Sequence, residues 1–141
     1  MTQIDFHSNV PDKIAYACRL VRKASQARKK IVLLAQDAVQ LAELDQALWT
    51  FSDTDFLPHV VAGDVLEMQT PVVLTDDESA PLPHFDILVN LSRRLPADFS
   101  RFQRVFEIIS QDAEDAAAGR QRYTAYKQQE YQPTHFIAGK A

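Results

Sequence analysis

Five consecutive apolar residues, Ile31-Val32-Leu33-Leu34-Ala35, constrain the fold of this chain more than any other feature. A strand with one wet face alternates apolar and polar side chains. An unbroken apolar run therefore reads as a strand buried on both faces, as in a parallel sheet covered by helices. Residues 3–7 alternate well enough to be a preceding strand, and Pro11 suits the first turn of a helix in which Ile14, Ala17, Cys18 and Val21 keep helical spacing until about Arg28. Strand, helix and strand in this order form a parallel βαβ unit with a right-handed crossover.

The alternation continues along the chain. Asp37 with Gln40 resembles a capping box, and Leu41, Leu44 and Leu48 share one face of the helix it opens. Pro71–Leu74 and Phe85–Leu91 read as two strands, the second of them central, and Pro96–Phe99 as a short helical turn. Arg104–Ser110 reads as another strand. A helix follows from Asp112 to about Gln129, with Asp112, Glu114 and Asp115 in its first turn and Arg120, Arg122 and Lys127 towards its carbonyl end, as the macrodipole favours. Thr134–Ala138 makes a final edge strand, and the acidic, proline-flanked residues 75–83 a solvated connection. The predicted fold is a single-domain three-layer α/β sandwich over residues 1–141, with a mostly parallel sheet, Rossmann-like but without a nucleotide-binding loop. A chain of 141 residues suits one core of ordinary size.

Composition narrows the function. No apolar run approaches the roughly 20 residues of a membrane span, and the opening Thr2-Gln3-Ile4-Asp5-Phe6 is no secretion signal. A lone cysteine, Cys18, excludes an internal disulfide, so the cytoplasm is the expected compartment. The net charge of −4 argues against direct binding of nucleic acid by the molecule as a whole.

The usual chemical motifs are missing. Phosphate cradles need glycine-rich turns, and Gly63, Gly119 and Gly139 belong to none, so no nucleotide cofactor is expected. His7, His59, His84 and His135 are scattered without metal-ligand spacing. His59, following Pro58, reads as a turn cap or a neighbour of Trp49. Asp37 stands at the carboxyl end of a strand, where α/β enzymes often place an acid, but a helix cap is the simpler reading. Cys18 is a small core residue. The enzyme alternative would rest on Asp37 and His59.

Two other stretches are richer. Residues 41–59 end an amphipathic helix on the only Trp and then place Phe51, Phe56 and Leu57 in a loop, so these groups either fold back onto the core or form a sticky patch. In the last helix Arg120, Tyr123, Thr124 and Lys127 recur at i, i+3, i+4 and i+7 and lie along one stripe. Beside an apolar strand end such as Ile109, that stripe suits an acidic peptide with an apolar tip, the guanidinium holding a carboxylate and Tyr walling the pocket. A solvated helix face fits the residue types equally well. A third reading, direct nucleic-acid binding by this helix, is opposed by the acidic balance.

Together these stretches resemble a known family, the chi subunit of bacterial DNA polymerase III. The resemblance is carried, in family order, by Leu44-Asp45-Gln46-Ala47-Leu48-Trp49, Phe56-Leu57-Pro58-His59, Phe85-Asp86-Ile87-Leu88-Val89-Asn90-Leu91 and Arg120-Gln121-Arg122-Tyr123-Thr124-Ala125-Tyr126-Lys127. It implies a non-catalytic accessory subunit that tethers the clamp-loader assembly of the polymerase III holoenzyme to single-stranded DNA-binding protein. The implied ligand is that protein's acidic C-terminal tail, which ends in a Phe carboxylate. By the resemblance Arg120 holds the carboxylate, Tyr123 is the neighbouring aromatic and Ile109 an apolar wall. Thr124 stands where some relatives carry a lysine, for which Lys127 compensates from the next turn. Trp49 and Phe56 match an aromatic pair facing a small partner subunit, psi, or another protein where psi is missing. A monomer is expected, its patches being reserved for other chains.

Overall fold

The computed structural model describes residues 2–50, 59–61, 71–77 and 82–138. Strand β1 (Gln3–Val10) leads to helix α1 (Lys13–Gln26), β2 (Ile31–Leu34), α2 (Ala38–Thr50), β3 (His59–Val61), β4 (Val72–Thr75) and β5 (Ile87–Asn90). A 3-10 turn (Phe99–Arg101), β6 (Arg104–Ser110), α3 (Ala113–Gln128) and β7 (Thr134–Ile137) complete the chain. The seven strands form one sheet in the order β3-β4-β2-β5-β6-β1-β7. Every pairing among the described residues is parallel, which sharpens the expected mostly parallel sheet.

Right-handed crossovers dictate which face each helix covers. The connections β1 to β2 and β2 to β3 run towards one edge of the sheet, whereas β6 to β7 runs towards the other. α1 and α2 therefore share one face and α3 takes the opposite one. On the first face Cys18, Val21, Leu44 and Leu48 pack on Ile31, Leu33, Val72, Leu74 and Ile108. On the second, Tyr126 of α3 and Phe99 and Phe102 from the 3-10 segment pack on Ile4, Phe6, Val32, Leu34, Leu88 and Val105. β2 has to satisfy both cores, which is why its sequence is unbroken apolar. Burial raises the Cys18 thiol to a pKa of about 11, in keeping with a core residue.

Helix starts follow the predicted capping. Asp37 Oδ1 accepts from the Gln40 N–H at 2.9 Å, while Gln40 Oε1 accepts from the Gln36 N–H at 2.7 Å, a reciprocal pair displaced by one residue from the usual box. Pro11 is a correction: it precedes the helix, and Asp12 caps α1 by accepting from Ala15 N–H at 3.1 Å. A second correction concerns His59. Its backbone is the first of β3, paired with Val72 of β4, so it lies in a strand and not in a turn. Phe51, Phe56, Leu57, Pro58 and residues 78–81 of the acidic loop lie outside the described residues.

Candidate functional site

β1 and β6 are neighbours, yet the helices that follow them leave to opposite faces, so a crevice opens between their carboxyl ends. Two local features shape it. Asn9 adopts a φ of 59° where the register of β1 slips between His7 and Val10, and its Nδ2 donates to the Ala138 carbonyl at 3.2 Å. Gly119 lets α3 descend onto β6: a Cβ there would stand 2.5 Å from Ile109 Cδ1. The result is a cavity of about 590 Å³ between α3, β1, β6 and β7.

Its floor and walls are largely apolar, with Phe6, Ile109, Ala116, Gly119 and the ring of Tyr123. Tyr123 is fixed edge-on against Phe6, ring centroids 5.1 Å apart, and Lys127 Nζ lies 5.7 Å from the Tyr123 ring. Arg120 and Thr124 stand at the rim, both exposed. Among the described residues Arg120 makes no ion pair, unlike Arg93, Arg104 and Arg122, each of which sits on a carboxylate. A guanidinium without an ion pair among the described residues, at the mouth of an apolar cavity, has the chemistry to bind a carboxylate attached to a hydrophobic group.

Four of the five residues expected from sequence, Ile109, Arg120, Tyr123 and Thr124, thus line one cavity. Lys127 lies outside its lining and touches it through Tyr123. Sequence reasoning missed Ser8 and His135, whose Oγ and Nε2 are 2.6 Å apart across β1 and β7, and also Asn9 and Gly119. Gly119 had a readable signal, an isolated glycine inside a helix. Ser8, Asn9 and His135 had none, because only strand pairing brings residues 8 and 135 together.

The profile of the family described as DNA polymerase III chi subunit, HolC, matches residues 1–134. The chain belongs to the chi subunit family. It is 32% identical to the DNA polymerase III subunit chi of Pseudomonas aeruginosa over 135 residues, covering 93% of each chain. It is 28% identical to that of Escherichia coli over 111 residues, 78% of this chain and 75% of the relative. Among solved structures, T4 UvsW aligns with a TM-score of 0.68 and 8% identity over 96% of this chain and 42% of the other, a likeness of fold alone.

The other conspicuous polar clusters of this chi-family chain are structural. Glu107 is fully buried on β6 and accepts from Tyr126 Oη at 2.6 Å, Arg122 Nε at 3.0 Å and Asn90 Nδ2 at 2.9 Å. Burial raises its carboxyl pKa, opposed by Arg122, Tyr126 and Asn90. At the carboxyl ends of β5, β6 and β1, Arg93 bonds Asp112, Glu114 and Asp115, and Lys13 bonds Asp115 at 3.1 Å and the Leu91 carbonyl at 2.6 Å. A cavity of about 410 Å³ remains beside these pairs, lined by Lys13, Arg93 and Asp115 together with Asp37, Gln40 and Glu43. Asp37 caps α2 at the carboxyl edge, while His59 begins β3 at the amino edge, so the pair cannot share a catalytic site.

Trp49, on the last turn of α2, is 54% exposed although Leu44 and Leu48 beside it are buried. α2 starts at the carboxyl edge and runs back, so Trp49 lies towards the amino edge, on the opposite face of the sheet from α3. Phe56, its expected companion, lies outside the described residues.

Proposed function

We propose that this chain is a non-catalytic accessory subunit of the bacterial replicase that links the clamp-loader assembly of DNA polymerase III to single-stranded DNA-binding protein. The observation that carries the reading is the Arg120 guanidinium, without an ion pair among the described residues, at the mouth of the apolar cavity. The terminal carboxylate of the partner's acidic tail pairs with Arg120, and its last Phe ring enters between Tyr123 and Ile109. Thr124 and Lys127 line the approach of the preceding acidic residues. No cofactor or metal takes part, and the protein works in the cytoplasm as a monomer until it meets its partners.

Trp49 and Phe56 form the second docking surface, for psi or for another clamp-loader or helicase protein in its place. The separation of Trp49 from the cavity, on opposite faces and towards opposite edges of the sheet, supports a bridge because two partners can dock together without collision. Individually weak tail contacts become effective because an oligomeric partner displays several tails near one another.

Calorimetry with an acidic peptide ending in Asp-Asp-Ile-Pro-Phe tests the tail site. Binding should weaken with added salt. Arg120→Ala should lower affinity by about ten- to a hundredfold, the worth of a hydrogen-bonded charge. Undiminished binding by that variant would remove the assignment of the cavity.

A further inference from the structure

The net charge of −4 hides a strong asymmetry. Seven of the fifteen Lys and Arg residues fall between residues 13 and 30, a stretch with no Asp or Glu, so that this segment carries +7 and the rest of the chain −11. Lys13 is committed to Asp115 at the carboxyl edge. The other six, Arg19, Arg22, Lys23, Arg28, Lys29 and Lys30, are exposed along the outer side of α1 and the turn that follows it. Arg28 ends the helix with a φ of 59°, where Lys29 N–H donates to the Ala24 carbonyl at 2.8 Å, and this holds the turn in a fixed shape at the amino edge of the sheet.

Beside these cations lies a run of rings. His7 contacts Tyr16 through a hydrogen bond and packs against Phe106 and Phe136 with centroids 5.3 Å and 5.5 Å away. Phe136, on the edge strand, is 54% exposed. The Arg19 guanidinium lies 5.4 Å from the Tyr16 ring. A cavity of about 500 Å³ joins the two sets, with His7 and Phe106 lining it together with Lys23 and Lys29. Two acids lie here: Asp5 is paired with Arg104, and Asp86, which lines the same cavity, accepts from the Lys30 backbone N–H. Because side chains alternate along β1, this surface and the Arg120 cavity, which contains Phe6, occupy opposite faces of the sheet.

We propose that the basic face of α1 and its adjoining aromatic run form a binding surface for single-stranded nucleic acid, separate from the tail cavity. Arg19, Lys23 and Lys29 contact successive phosphates. Phe136 offers an accessible ring for a base to stack on, with the His7–Tyr16 pair continuing the platform. Interleaved rings and cations favour a single strand over an acidic protein, because unpaired bases gain from stacking and a polyanionic peptide does not. The whole-chain charge argues against a polyanion, but binding depends on the local field within a Debye length of about 10 Å. The inference does not depend on the tail reading.

Fluorescence anisotropy of a labelled oligothymidylate of about twenty nucleotides, long enough for one site, tests the surface on the whole protein. Saturable binding is expected at roughly 50 mM salt, weakening as salt rises. Replacing Arg19, Lys23 and Lys29 together by Gln should weaken it at least about tenfold and reduce the slope of log affinity against log salt by about 2, since each single-strand phosphate contact contributes about 0.7. Phe136→Ala should weaken binding about tenfold with the salt slope retained. Thermal melting checks that the variants fold, and Lys29→Gln alone, in the turn, gives a slope change of about 0.7 if the triple variant does not. Absence of binding, equal affinity for polyglutamate, equal or tighter binding of a duplex, or indifference to the substitutions would each overturn the proposal.

Discussion

Two Arg-Tyr pairs lie on the same two turns of α3 and meet opposite fates. Arg122 and Tyr126 point into the sheet, where both bond the buried Glu107. Arg120 and Tyr123, two or three residues away, border the open cavity, and the guanidinium of Arg120 has no carboxylate among the described residues. A turn of 3.6 residues is enough to separate scaffold from candidate site. Residue type therefore says little about role in the string Arg120-Gln121-Arg122-Tyr123-Thr124-Ala125-Tyr126; the face on which each residue falls says most.

The largest effect is expected from breaking the inner pair. Arg122→Ala leaves Glu107 buried with its counter-ion removed, and the loss should be about 3–5 kcal/mol in urea unfolding. A loss below about 1 kcal/mol would mean that Arg122 and Tyr126 differ from the outer pair only in exposure.

Acid should probe a neighbouring set of contacts. For Asp115 burial works against the charge, but the Ser110 N–H at 2.7 Å and Lys13 outweigh it and the carboxyl pKa is lowered. Asp5 is lowered likewise: burial is overcome by Thr134 and Arg104. A depressed folded pKa contributes stability that is complete above the ordinary carboxylate value near 4 and is lost as pH falls through the folded value. Urea titrations should therefore give stability that declines below about pH 4, and Asp115→Asn should flatten that decline while leaving the Arg120 cavity able to bind its peptide. An unchanged acid limb in this variant would contradict the assignment.

The layers were legible because periodicity records burial: β2 had to be apolar on both sides, and β6, Arg104–Ser110, coincides with the expected strand. β3 was missed because three residues make too short a run to show a period. The helix ends fell within two residues of those expected, about Arg28 and Gln129, although the left-handed positions closing α1 and α3 are Arg28 and Glu130 and not glycine. At the site, helical spacing brought Arg120, Tyr123 and Thr124 together, but nothing local links Ser8 to His135, which meet only because β7 pairs with β1.

Gly119 lies between the two pairs in its consequences. An added Cβ gains helix propensity of about 1 kcal/mol, but it must displace the Ile109 δ-methyl, and overpacking typically costs about 1–3 kcal/mol. Gly119→Ala should thus change stability by no more than about 2 kcal/mol, while pushing Ile109 into the cavity and weakening the acidic peptide in calorimetry. Wild-type affinity in a crystal-verified Gly119→Ala variant would show that the peptide does not use the cavity floor.

The smallest effect belongs to the outer pair itself. With no ion-pair partner among the described residues to lose, Arg120→Ala should alter unfolding free energy by less than about 0.5 kcal/mol, although it removes most of the peptide affinity. The sharper measurement is the double variant. Arg120 and Arg122 are close in sequence but share no hydrogen-bond partner, so their stability effects should add within about 0.3–0.5 kcal/mol. Coupling well beyond that would mean that the outer guanidinium leans on the Glu107 network after all, and that the free charge proposed to receive the tail is held partly by the scaffold beneath it.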